Sequence, residues 1–284
     1  MRTILVHLEL SPVLDSVLAC ALLAGRRFDG YIEGLHVRPG QPDIIAAGAD
    51  GFVAAAPDLV AGFEREARER SDRAREAFER FTAEAGLSRT PAAGGAGLCA
   101  DWRIQPGSPD AVLGSRGRVF DLIVTGRPLP NAVSPSMAAL ETALFEAGRP
   151  VLIAPPRAPE RMGEEIAIGW NGSTETARTV AFAMPFLRQA RRITVLAVSK
   201  GMVPGPSADE LAQNLRRHGL DATAREVTSG ERGPGPAMLD AAMAEGADLL
   251  IKGAYTQSRL RQMIFGGVTS HILAKAEIPV LMAN

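Results

Sequence analysis

Short apolar runs alternate along this chain with longer stretches in which apolar residues recur three and four positions apart. The runs predict buried strands and the periodic stretches predict helices. In the first half, strands are predicted at residues 4–6, 31–37, 102–104, 121–126 and 150–154, with helices at 13–28, 59–86, 109–117 and 137–145. Strands separated by helices are typical of a parallel sheet covered on both faces.

The same pattern restarts in the second half. A strand begins at Ile166, others follow at 193–198, 222–227, 249–251 and 279–283, and helices are predicted at 175–187, 208–218, 236–245 and from 268 onward. The segment Asp121-Leu122-Ile123-Val124 is echoed by Asp248-Leu249-Leu250-Ile251, so the halves are an internal repeat. The proline-rich stretch 155–159 is the natural linker. The fold class is therefore α/β: two tandem doubly wound five-stranded parallel-sheet (Rossmann-like) domains, residues 1–155 and 162–284.

Composition narrows the class of protein. A hydrophobic content of 46%, with 22% charged residues and a formal net charge of −1, indicates a globular protein with a sizeable core. The near-neutral charge predicts no nucleic-acid partner, and the lack of a long apolar run predicts no membrane span. The two cysteines, Cys20 and Cys99, form no C-x-x-C pair, and the start of the chain does not resemble a signal peptide. We therefore expect a cytoplasmic protein.

A glycine-containing loop follows the fourth strand of the second half. The buried run 249–251 ends near Gly253, a polar stretch follows, and the pair Gly266-Gly267 precedes the last helix. A strand, a loop and a glycine-led helix start direct backbone N–H groups and the positive end of a helix at one point. Such a point suits an anion, most often a phosphate.

The spacing in this loop resembles that of the universal stress protein family, G-x2-G-x9-G-[S/T]. Gly253 and Gly266 match, whereas Thr256 replaces the second glycine and Gly267 replaces the hydroxyl residue. The whole chain is similar to a tandem member of this family, which implies an adenine nucleotide alpha hydrolase-like fold. The family pairs two domains through their last strands. The resemblance therefore implies an intramolecular pseudo-dimer of the two halves and leaves a further homodimer open.

The resemblance also implies a nucleotide site in the second domain. In the family an acidic residue after the first strand contacts the adenine or ribose, and Asn171 stands there. Val198 matches the apolar residue that packs against adenine. The implied cofactor-binding residues are Gly169, Trp170, Asn171, Val198, Lys252, Gly253, Thr256, Ser258, Arg259, Gly266, Gly267, Val268 and Thr269. ATP, or alternatively ADP or AMP, is the implied ligand, with Mg²⁺ on its phosphates.

Structural alternatives exist for these residues. Gly253 can serve only a tight turn, and Asn171-Gly172 is a common turn dipeptide. Val198 would be a core residue in any case.

The first half departs further from the family pattern. Gly126 is retained, but Arg127-Pro128-Leu129-Pro130 follows it and no later glycine pair appears. Prolines remove backbone donors that a phosphate site would use. Glu9 supplies an acid after the first strand, in what looks like a shifted position, and Ser134 and Ser136 are expected to cap the helix near residue 137. We therefore expect nucleotide in the second half only.

Catalytic chemistry is not indicated. The four histidines, His7, His36, His218 and His271, are far apart, and there is no H-E-x-x-H pattern or P-loop lysine-serine pair. We predict no catalytic or metal-ligating residues, and ATP hydrolysis that is slow at most. Three functions stay open: a nucleotide-binding stress-response protein, a non-binding interaction scaffold, and an adenylating or electron-transfer enzyme of the same α/β class.

Overall fold

The chain folds into alternating strands and helices. The structure is a computed structural model, and it describes residues 1–40, 57–89, 97–129, 132, 134–254 and 267–284. Within these residues the strands are β1 Thr3–His7, β2 Tyr31–Arg38, β3 Cys99–Pro106, β4 Leu122–Gly126, β5 Val151–Ala154, β6 Glu165–Trp170, β7 Arg192–Val198, β8 Ala222–Val227, β9 Leu249–Gly253 and β10 Val280–Ala283. The helices are α1 Leu14–Phe28, α2 Pro57–Glu84, α3 Pro109–Arg116, α4 Met137–Glu146, α5 Thr174–Leu187, α6 Ala208–Arg217, α7 Pro234–Ala244 and α8 Val268–Lys275.

All of these strands belong to one sheet, in the order β3-β2-β1-β4-β5-β10-β9-β6-β7-β8. Neighbouring strands within each half are parallel, whereas β5 and β10 are antiparallel, with Leu152 opposite Leu281. The last strand of each half thus pairs with that of the other half. The strand order reverses between β1 and β4 in the first half and between β6 and β9 in the second. In sheets of this kind, such switch points are where ligands bind, beyond the carboxyl ends of the strands.

The core lies on both faces of the sheet because successive strand residues point to opposite faces. In β1, Ile4 and Val6 belong to one apolar cluster and Leu5 to the other. The first cluster includes residues of α1, α2, α5 and α6, and the second includes residues of α3, α4, α7 and α8. Both clusters contain residues from both halves. The fold class predicted from the sequence is confirmed.

Two repeat-equivalent carboxylates fix the strands that flank the switch points. Asp121 precedes β4 and accepts hydrogen bonds from the backbone N–H groups of Arg2 and Thr3 (2.7 and 3.1 Å). Asp248 precedes β9 and accepts from those of Gly163, Glu164 and Glu165. Each carboxylate therefore ties the fourth strand of its half to the start of the first strand.

The observed elements differ from the predicted ones mainly at their ends. β3 begins at Cys99 rather than at residue 102, α2 begins at Pro57, and α7 begins at Pro234. The N–H of the first helical residue has no partner within the helix, and proline has no N–H, so proline is favoured at this position. This explains the starts of α2 and α7. In the described part of the chain, no helix combines the length and apolarity that crossing a membrane requires.

Candidate functional site

The candidate site of the second half lies at the carboxyl ends of β6 and β9. Gly169, near the end of β6, is opposite Lys252 in the parallel pairing of the two strands. Helix α8 begins nearby, with Gly267 as its N-cap residue. We call Lys252, Gly253, Gly267, Val268 and Thr269 the candidate anion site.

Lys252 is the charged group of this site. Its Nζ donates hydrogen bonds to the backbone oxygen of Gly253 (2.8 Å) and to Oγ1 of Thr269 (2.9 Å). The residue is 9% exposed, and burial lowers the pKa of its ammonium group to about 8. Among the ion pairs between described residues, none involves Lys252. At neutral pH it is therefore a buried cation held by neutral acceptors.

The start of α8 adds a second positive group. Its N-cap, Gly267, has no side chain with which to accept a hydrogen bond from the first turn. The first N–H groups of a helix have no partners within the helix and carry partial positive charge. A Cβ built on Gly267 meets no described atom within 4 Å, so the described part of the chain does not cover this helix end. Lys252 reaches it through Thr269, the second residue of α8.

Gly253 is required by close packing. A Cβ at this position would lie 2.6 Å from the backbone nitrogen of Thr176 and 2.7 Å from its Oγ1. The end of β9 is thus pressed against the first turn of α5. This contact gives Gly253 a structural reason for being glycine, alongside its place in the candidate site.

Asn171 is committed to the start of α5. Its Oδ1 accepts hydrogen bonds from the backbone N–H of Ser173 (3.2 Å) and from Oγ1 of Thr176 (2.7 Å). Ser173 caps the helix, because its Oγ accepts from the N–H of Thr176 (3.3 Å). The carboxamide oxygen of Asn171 is therefore occupied, and its NH₂ group is the part that a ligand can use. Gly172 has a φ of +81°, which is consistent with the turn that the dipeptide indicates.

Two other residues that the resemblance assigned to the nucleotide lie in the core. Trp170 is 4% exposed, and its Nε1 donates to the backbone oxygen of Pro206 (2.8 Å). Val198, which is 2% exposed, belongs to the apolar cluster that contains Met238. A Cβ on Gly169 would touch the sulfur of Met238 at 3.0 Å, so this glycine leaves room for the methionine.

The remaining assigned residues divide into two groups. Val268 is half-buried and Thr269 is buried in the first turn of α8. Thr256, Ser258, Arg259 and Gly266 lie outside the described residues. The structure thus brings together Lys252, Gly253 and Thr269, and it adds Ser173 and Thr176, which the sequence analysis did not select. The spacing of Ser173 and Thr176, three residues apart before a helix, was the available signal.

The strand registers correct one expectation about the first half. Ile4 is opposite Leu122 in the pairing of β1 with β4, and Ile166 is opposite Leu249 in that of β6 with β9. Glu9 therefore occupies the repeat position of Asn171, rather than a shifted one. The expected cap is confirmed, since Oγ of Ser136 accepts from the N–H of Ala139 (3.3 Å) at the start of α4.

One comparison with known proteins concerns the second half. The sequence model of the universal stress protein family matches residues 162–284. A search of curated proteins gave no match.

Solved structures similar to this chain cover almost all of it. One is a universal stress protein from Archaeoglobus fulgidus DSM 4304, with a TM-score of 0.71 and 15% identity over 99% of this chain and 96% of that one. Another is a putative universal stress protein from Pseudomonas aeruginosa UCBPP-PA14 (TM-score 0.52, 16% identity, 100% and 93% covered). A protein of unknown function from Pseudomonas aeruginosa PAO1 is similar at TM-score 0.51 and 15% identity, with 100% and 92% covered. At these identities the similarity establishes the fold.

Proposed function

We propose that the universal stress protein domain formed by residues 162–284 binds an adenine nucleotide through its phosphates. ATP is the first candidate, and ADP and AMP are the alternatives. In this proposal the protein is a cytoplasmic regulator that responds to stress through nucleotide binding, and any hydrolysis of ATP is slow.

The observation that carries the proposal is the buried charge of Lys252 beside the start of α8, where the described residues place no side-chain cap. An ammonium group removed from water is costly unless an opposite charge compensates it. Among the described residues no carboxylate pairs with it, and the helix start adds positive potential instead of negative. A phosphate group would supply the missing charge and accept hydrogen bonds from both donors.

The groups gathered at the site suit binding better than catalysis. Lys252 is largely protonated at pH 7, and Thr269 and Asn171 are neutral hydrogen-bonding groups. None of these three is a base that would activate water for phosphoryl transfer. Mg²⁺ would come with the nucleotide and be held mainly by its phosphate oxygens. Within the described chain, no group of three His, Cys, Asp or Glu residues is arranged to hold a metal ion.

The test is thermal unfolding of the full chain with and without Mg·ATP, Mg·ADP, Mg·AMP and inorganic phosphate. We expect ATP at 100 times its Kd to stabilise the wild type by about 2.7 kcal/mol. Lys252→Met removes the buried charge while keeping a side chain of similar length, and should abolish most of this gain. Lys275→Met is the matched control, because it removes an equal charge from the exposed last turn of α8 and should leave the gain intact.

Other outcomes would favour the other functions. Stabilisation that is absent from the wild type, or equal in the two lysine variants, would contradict the proposal and favour an interaction scaffold. Rapid formation of ADP or of an adenylated product would indicate an enzyme.

A further inference from the structure

The first half contains its own counterpart of the candidate anion site, at the carboxyl end of β1. Glu9 occupies there the repeat position of Asn171, and Ser136 is the N-cap residue of α4, as Gly267 is of α8. The two sites can therefore be compared position by position.

In the first half, a side-chain carboxylate contacts the start of the helix. Oε2 of Glu9 accepts a hydrogen bond from the backbone N–H of Ser136 (3.3 Å), directly at the N-cap of α4. In the second half, the equivalent Asn171 is uncharged and its oxygen is bonded to the start of α5. A carboxyl group at a helix start is thus present in the first half as part of the chain; burial raises the pKa of Glu9, and the hydrogen bond from Ser136 opposes that rise.

A buried histidine is directed at the same carboxylate. Nδ1 of His7 lies 3.4 Å from Oε2 of Glu9, and no hydrogen-bond partner satisfies this buried nitrogen. Burial lowers the pKa of His7 to about 4, so the ring is neutral at physiological pH. In its Nδ1–H tautomer, His7 has an N–H group available to an anion in the position of the Glu9 carboxylate.

The space above Gly126 is also filled. A Cβ on Gly126 would lie 2.4 Å from the ring of Pro135, the residue before the cap of α4. Pro135 therefore packs directly on the end of β4, and a small anion is the appropriate probe of this place.

We propose that the Glu9 carboxylate is a built-in anion that occupies the start of α4 and keeps external anions out of the first half. Glu9 is then the residue that determines how many anions the chain binds. The inference stands apart from the proposed function, because it concerns only His7, Glu9 and the start of α4.

The experiment is calorimetric titration of the full chain with inorganic phosphate. Lys252→Met serves as the background that silences the second half. In that background, Glu9→Ala should create a phosphate site that binds about tenfold more tightly than any residual one, since the N–H of Ser136 loses its acceptor and Nδ1 of His7 then faces the space that Glu9 leaves. Glu141→Ala is the matched control, because it removes a carboxylate from the exposed face of the same helix. Equal phosphate binding by the Glu9→Ala and Glu141→Ala proteins would overturn the proposal.

The design separates this inference from the proposed function. If the wild type does not respond to phosphate or nucleotide and Glu9→Ala does, the proposed function fails and the inference holds. If Glu9→Ala does not fold, Glu9→Gln keeps the shape of the side chain without its charge. Hydrogen exchange of the Ser136 amide should then be about tenfold faster than in the wild type. An unchanged rate would show that the charge of Glu9 does not hold the start of α4.

Discussion

Lys252 is a charged residue where the packing alone favours an apolar one. It lies near the end of a buried central strand, between β6 and β10, and has Gly169 and Met282 as its strand neighbours. Its neutral acceptors compensate only part of the loss of hydration, which is why burial lowers its pKa. A group that costs folding stability without a charged partner is typical of a binding site.

This cost predicts a pH dependence of stability. The folded-state pKa of Lys252 is about 8, against an ordinary value of 10.5. Between these values the unfolded chain binds more protons than the folded chain, so stability rises with pH. From pH 8 to 10.5 the free energy of unfolding of the wild type should rise by about 3 kcal/mol relative to Lys252→Met. Urea unfolding at several pH values measures this difference.

The comparison has an internal control. The chain has three lysines, and Lys275→Met should follow the wild type across the same pH range. Saturating nucleotide should reduce the pH effect, because a bound phosphate favours the charged form of Lys252. A difference between wild type and Lys252→Met that is independent of pH would show that Lys252 keeps its ordinary pKa.

At the level of secondary structure, the end of β9 lies near the starts of two helices, α5 and α8, and packs tightly against α5. Gly253 is pressed against the first turn of α5, whereas a Cβ built on Gly267 at the start of α8 would meet none of the described atoms within 4 Å. We therefore expect Gly253→Ala to destabilise the protein by about 2 kcal/mol, because two of the three nearest atoms belong to the backbone of α5 and cannot move freely. Gly267→Ala should change stability by less than about 0.5 kcal/mol. Thermal unfolding distinguishes them, and equal effects would contradict the packing described for Gly253.

The cap of α5 offers a second test at this scale. Ser173 caps α5 and donates its backbone N–H to Asn171, whereas Ser207 caps α6 and is hydrogen-bonded to Glu210. Replacing either serine by alanine should cost about 1 kcal/mol of stability. Ser173 also supports the turn that holds Asn171, so Ser173→Ala alone should weaken nucleotide binding, by about threefold. Calorimetric titration with ATP checks this. Equal ATP affinities in the two variants would show that the cap of α5 does not contribute to nucleotide binding.

The elements were largely predictable from the sequence, and the partly buried site was not. Apolar runs such as Leu249–Ile251 identify strands because burial on both faces demands them. The length of β3 was underestimated, because an edge strand such as Cys99–Pro106 carries polar residues that break the apolar pattern. Trp170 is buried in an apolar cluster and donates a hydrogen bond to Pro206, which lies far along the chain. No local pattern contains that contact.

At the scale of the molecule, the halves form one packed body. Beyond the pairing of β5 with β10, the rings of Phe28 and Phe186 meet edge-on, with centroids 4.8 Å apart. Arg127, which follows β4, donates through Nη1 to the backbone oxygen of Ala276 at the end of α8. A guanidinium group at the C-terminus of a helix is favourable for both. A substitution that destabilises one half should therefore lower the unfolding midpoint of the other half as well.

The two tryptophans make this expectation measurable, because Trp102 lies on β3 of the first half and Trp170 on β6 of the second. Trp102→Phe and Trp170→Phe each leave one fluorescent reporter. Leu215, which is 1% exposed on α6, packs near β7 and β8, far from the junction of the halves. Leu215→Ala should cost about 2 to 5 kcal/mol. If the chain unfolds as one unit, both reporters must show the same decrease in urea midpoint.

The control is each single-tryptophan protein without the leucine substitution, and its midpoint is the reference for that reporter. Independent unfolding of the halves would give a different result. The midpoint reported by Trp170 would fall in Leu215→Ala, while that reported by Trp102 would stay in place. That outcome would mean that the shared sheet and the Phe28–Phe186 contact join the halves without coupling their stability. Ligand binding in the second half would then have no route through folding stability to the first.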